Sequence, residues 1–149
     1  MMDKKSIKNE ALMRFRSGYN CSQSVLVSMA AKIETDHILL EKLASGFGGG
    51  MGHMQETCGA VTGSFMAISI YCGNKYSDNH QRTNEAYKLI RKFDSEFKKL
   101  HETTNCMELI GYELDSPEEH EKAVEENVFE NICETCISDA VNILFRLLK

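Results

Sequence analysis

The chain has 149 residues, with 17 basic and 22 acidic side chains and a formal charge of −5. Its 42% hydrophobic and 26% charged residues are a globular composition and exclude a disordered chain. The mild acidity gives no electrostatic reason to bind nucleic acid or an anionic membrane.

Taken in chain order, nearly every segment repeats with helical period. Residues 4–17 place Ile7, Ala11, Leu12 and Phe15 on one side, with Gly18 positioned to stop the helix. A second helix is predicted from about Asn20 to Glu34, with Val25, Leu26, Met29, Ala30 and Ile33 as its stripe. Asp36 suits the N-cap of a short third helix carrying Leu39, Leu40, Leu43 and Ala44. Five of the ten glycines then fall within residues 46–52, a loop that needs unusual backbone angles or close contacts. A fourth helix is expected over roughly Gln55 to Tyr71. Asp78 can cap a long fifth helix with Ala86, Leu89, Ile90, Phe93 and Phe97 in register. Ser116-Pro117-Glu118-Glu119 is an N-terminal helix signature. The last segment runs to Lys149, with a break near Asn131. No alternating run exceeds four residues, so the expectation is an all-α, single-domain bundle over 1–149, of five to seven helices with a glycine-rich loop.

The six cysteines are Cys21, Cys58, Cys72, Cys106, Cys133 and Cys136. The opening residues MMDKKSIKNE lack an apolar h-region and a cleavage site, and Phe65 to Cys72 is too short to span a membrane. A reducing cytosol is therefore expected, where cysteines bind metal, do redox chemistry or fill core space rather than form a disulfide framework. Cys58 falls in the first turn of the fourth helix, where free N–H groups and the helix dipole favour a thiolate. Cys21 holds the same kind of position on the second helix. Cys106 follows the connection Thr103-Thr104-Asn105, and Cys133 lies on the buried stripe of the last segment. Converging at one end of a bundle, four thiolates suit an iron–sulfur cluster or another thiophilic metal. Two of them suit a dithiol that cycles to a disulfide, with Cys58 and Cys21 as catalytic candidates. A structural zinc site, or thiols with no cofactor at all, are the alternatives. Cys72 and Cys136 read as packing. The pair Cys133 and Cys136 forms a CxxC, but no strand precedes it and no second CxxC accompanies it.

Around the glycine loop, Gly48, Gly49, Gly50, Gly59 and Gly63 are the candidate cofactor-contacting positions, allowing backbone to pass close to the Cys58 sulfur. The loop is no nucleotide motif, since His53 occupies the position a third glycine would need and no Gly-Lys-Ser/Thr follows. His53 is either a general acid or an exposed loop histidine, and Glu56 is best read as a helix cap. The small-residue faces of the fourth helix also leave room for a homodimer.

The pieces GYNCSQSV around Cys21, GFGGGMGHMQETCGAVTG at 46–63, NCMELIGYEL around Cys106 and NICETCISDAV around Cys133 resemble the redox-active family named for its C-GCAxxG-C-C pattern. The resemblance spans about residues 10–145. It implies an all-α domain with a redox role, an unassigned redox partner, and four characteristic cysteines at Cys21, Cys58, Cys106 and Cys133. Alignment of the last one onto Cys136 stays open. A related domain in certain multi-domain cytochromes implies that these cysteines can hold an iron–sulfur cluster.

Overall fold

Residues 3–149 are described by a computed structural model of the chain. Among the described residues there is no β-strand, and eight α-helices follow one another: α1 (Lys4–Arg16), α2 (Cys21–Ser28), α3 (His37–Ala44), α4 (Gly59–Lys75), α5 (Asn79–His101), α6 (Cys106–Ile110), α7 (Pro117–Glu125) and α8 (Glu134–Leu147). The all-α class is as expected, but the number exceeds the predicted five to seven. The unforeseen element is α6, whose five residues are too short to display a hydrophobic period. None of these helices is long and apolar enough to cross a membrane.

Short polar side chains start the helices. Asp3, Asn20, Asp36, Asp78, Asn105 and Ser116 each accept a backbone N–H of the first turn, satisfying an otherwise orphaned donor. Helix α2 is shorter than its apolar stripe predicts. The Ser24 and Ser28 hydroxyls turn back onto the carbonyls of Asn20 and Val25, competing with the helical ladder. Beyond Ser28 the chain continues through turns that mix i→i−3 and i→i−4 bonds until Glu34, at φ +53°. Helix α4 starts four residues later than expected, because Gln55 still belongs to the loop. Gln55 has φ +56°, and its amide donates to the Gly49 carbonyl at 2.8 Å. Near Asn131, where a break is predicted, the chain makes a π-helical segment, Phe129–Cys133, that runs directly into α8.

Two apolar clusters result. The larger combines the stripes of α1, α2, α4, α5 and α8, with Leu26, Ile68, Phe93, Phe97, Ile137 and Leu144 essentially without solvent exposure. The smaller gathers Cys106, Ile110, Leu114, Ala123, Val128 and Cys133 beneath α6, α7 and the π segment. Phe15, Cys21 and Ile132 pack against both. The seam between the clusters is where five of the cysteines meet.

Candidate thiol site

Helix α4 crosses α2 at bare backbone. A Cβ on Gly59 would lie 2.8 Å from the Ser22 nitrogen and 2.9 Å from the Cys21 Cβ, and one on Gly63 would lie 2.6 Å from the Ser22 carbonyl oxygen. Glycine at both positions therefore lets the start of α2 lie directly on the start of α4, which brings Cys21, the first residue of α2, beside Cys58, the N-cap of α4. The chain before Cys58 is joined to the chain before α6 by an isolated antiparallel bridge between Thr57 and Asn105. Within it, the Cys58 N–H donates to Thr104 at 2.7 Å and the Cys106 N–H donates to Glu56. This short clamp sets Cys106 next to Cys58. Cys133 closes the π segment, and Cys136 lies three residues further, on the same helical face.

The result is a cavity of about 460 Å³ lined by Cys21, Cys58, Cys106, Cys133 and Cys136. Gly48, Gly49, Gly50 and Gly59 also form its wall. Gly63 does not; it lies against α2. Cys72 is buried in the larger core, away from the cavity.

The glycine loop itself has an uncommon backbone. Five consecutive residues, Gly49 to His53, have φ between +58° and +75°. Left-handed backbone costs an L-residue about 1–2 kcal/mol, a strain borne here by Met51 and His53 and spared at the three glycines. Wide backbone bonds hold the coil: Gly52 donates to Gly46 at 2.8 Å, and Glu56 donates to Gly50 at 2.9 Å. Gln55, 5% exposed, anchors it from below. Its side-chain amide donates to the Tyr112 carbonyl at 2.8 Å and accepts the Leu114 N–H at 2.7 Å. His53 is exposed and its Nδ1 lies 3.0 Å from the Asp115 carboxylate, a second tie to the same connection. Glu56 does not cap α4 as expected; it is exposed, and its backbone carbonyl serves the bridge to Cys106.

The thiols are not equivalent. Cys58 is held below the ordinary thiol range, chiefly because the Cys136 thiol donates toward its sulfur, with burial opposing and the Ala60 and Val61 amides assisting. Cys58 makes no side-chain cap hydrogen bond, yet the first amides of α4 present positive dipole there. Cys136 is pushed up by the same interaction with Cys58, and then by burial. Cys21 is pushed well up, first by its hydrogen bond to Cys133 and then by burial. Cys106 is pushed up to about 12 by burial and by negative charge on Cys58 and Cys133. Proton affinity thus links Cys58 chiefly to Cys136 and Cys21 chiefly to Cys133, while Cys106 is raised first by burial. The sequence reads Cys136 as packing while leaving it open as the last motif cysteine, and its i, i+3 spacing from Cys133 is the signal for the second. Gln55 gave no such signal, since its partners lie more than 50 residues away in sequence.

Among the described residues, no three or more His, Cys, Asp or Glu side chains are arranged to hold one metal ion. A zinc ion needs such a shared point. An iron–sulfur cluster differs, because its several irons take thiolates separately; in donor chemistry, the four thiols Cys21, Cys58, Cys106 and Cys133 suit it.

A family model described as "Putative redox-active protein (C_GCAxxG_C_C)" matches residues 19–147. No curated protein and no solved structure matches the chain.

Proposed function

The chain belongs to the redox-active C_GCAxxG_C_C family, and from its thiol geometry we propose two-electron thiol–disulfide chemistry, with Cys58 as nucleophile and Cys136 as its resolving partner. The observation that carries this reading is that Cys58, the N-cap of α4, and Cys136 line the same cavity, with Cys136 the chief cause of the lowered Cys58 thiol. A thiolate attacks and a thiol waits, so a nucleophile with a depressed pKa beside a thiol with a raised one is a divided pair. The Cys58 thiolate attacks one sulfur of a substrate disulfide and forms a mixed disulfide. The expelled thiolate takes the Cys136 proton. The new Cys136 thiolate then attacks the Cys58 sulfur, closes the protein disulfide and expels the second substrate thiolate. Two electrons pass from the protein to the substrate, and an external dithiol restores the reduced protein.

The test is oxidation of the reduced protein with one equivalent of diamide, acid quench, alkylation and peptide mapping. A Cys58–Cys136 disulfide is the expected product, unchanged in Cys72→Ala. Any other disulfide in its place would overturn the assignment.

A second reading is favoured by one observation, the presence of three further thiols, Cys21, Cys106 and Cys133, on the same cavity. Cys21, Cys58, Cys106 and Cys133 would then hold an iron–sulfur cluster, which supplies one-electron transfer. Cys106 separates the two readings. Anaerobically purified protein that carries iron and sulfide, and loses both in Cys106→Ser, supports the cluster. A colourless, iron-free protein whose diamide oxidation is unaffected by Cys106→Ser supports the dithiol.

A further inference from the structure

Resting on the dithiol reading, we infer that the substrate of Cys58 is a small, uncharged, apolar disulfide that enters the cavity whole. The cavity volume, about 460 Å³, falls in the usual range for small-molecule sites. No Lys, Arg, Asp or Glu side chain lines it. Its walls away from the thiols are Phe15, Leu109, Ile110, Leu114, Phe129 and Ile132. The three polar side chains on the lining besides the thiols are already engaged, Ser45 by donating to the Lys42 carbonyl at 2.7 Å. Asn20 donates to Ser45 at 3.2 Å and accepts from Gln23 at 2.8 Å, while His53 faces Asp115. A charged substrate would surrender its hydration here without a partner, at a cost of several kcal/mol. A disulfide carried on a folded protein is disfavoured on different grounds, since Cys58 is only 7% exposed.

The glycine loop keeps the lining free of bulky side chains on one side. Gly46, Gly48, Gly49 and Gly52 present backbone rather than side chains along one stretch of the lining. Cys21 is the least buried of the five thiols on this lining. The reaction is the exchange already written: the protein thiols are oxidised to Cys58–Cys136, and the neutral disulfide leaves as two small thiols.

The experiment follows oxidation of the reduced protein by three probes: diethyl disulfide, the dication bis(2-aminoethyl) disulfide, and the dianion dithiodiglycolate. Each rate is divided by that of the same probe with N-acetylcysteine, and the series is repeated at 1 M salt, where the Debye length is about 3 Å. The neutral probe is expected to react at least tenfold faster than both ions at either salt concentration. Similar normalised rates for all three would overturn the substrate class while leaving the dithiol reading intact. Selectivity that vanishes at high salt would also overturn it, because the long-range field of a −5 chain, not the cavity, would then be choosing. Failure of every probe and of diamide to form Cys58–Cys136 would overturn both. In Leu109→Lys, which places a cation on the wall, the dianion is expected to gain relative to the neutral probe; an unchanged ratio would count against entry into the cavity.

Discussion

Cys58 and Cys106 sit side by side, yet their proton affinities diverge. Both are nearly buried, 7% and 6% exposed, so burial alone raises both. Cys58 escapes because the Cys136 thiol and the first amides of α4 turn toward its sulfur; Cys106 has only burial and negative neighbours. Alkylation of the reduced protein by iodoacetamide should therefore begin at Cys58. Its rate should rise through a midpoint below the ordinary thiol value of about 8.5. Cys106 and Cys136 should stay unmodified until much higher pH. In Cys136→Ala the stabilising donor is lost, and the Cys58 midpoint should move upward; an unmoved midpoint would show that the helix amides alone set it.

At the scale of elements, the decisive contact is the crossing of α2 and α4. Glycine inside a helix ordinarily costs about 0.5–1 kcal/mol relative to alanine. Gly73, in the same helix, has open space where a Cβ would go, so Gly73→Ala should stabilise the protein by about that amount. Gly63→Ala should do the opposite, since its Cβ meets the Ser22 carbonyl at 2.6 Å. Separating packed helices costs about 1–3 kcal/mol. Paired denaturant titrations read both signs, and equal effects from the two substitutions would refute the tight crossing. The left-handed coil over residues 49–53 is the second special element. Its strain is held by the Gln55 and His53 ties to the connection after α6, consistent with strain concentrating where backbone must lie near a reactive group.

For the whole molecule, the consequence of gathering thiols at the seam of two clusters is a dependence of stability on pH. Cys21, Cys72, Cys106 and Cys136 are all raised by the fold. Above about pH 8.5 the unfolded chain releases those protons while the folded chain keeps them, so their stabilisation is full below that pH and falls as pH rises. Cys58, depressed in the fold, works the other way: its contribution is present above the unfolded value and is lost as pH falls through the folded one. Four raised thiols outweigh one lowered thiol. The thermal midpoint of the reduced protein should therefore drop between about pH 8 and 10, each raised thiol adding up to about 1.4 kcal/mol per pH unit. Cys106→Ala should flatten that slope. An identical slope in the variant would mean that Cys106 ionises alike in both states.

The sequence by itself determined what is local. Helical periods, the caps at Asp36, Asp78 and Ser116, the glycine loop, the break near Asn131 and the singular position of Cys58 all depend on residues within a few positions of one another. A five-residue helix left no period to detect, and the early end of α2 followed from serine hydroxyls competing with its own backbone. Tertiary structure decided which thiols meet. Cys136 joins the site because a π segment and a CxxC spacing place both of its sulfurs on the cavity. Cys106 joins through a backbone bridge to the residues before Cys58, and Gln55 acquires its role from partners in a distant connection. Gly59 and Gly63 carry the same glycine signature, yet only the crossing with α2 puts the first on the cavity wall and the second against Ser22. A side chain's neighbours along the chain fix its conformation, but its proton affinity and its partner are set by groups that only the packed fold brings within reach.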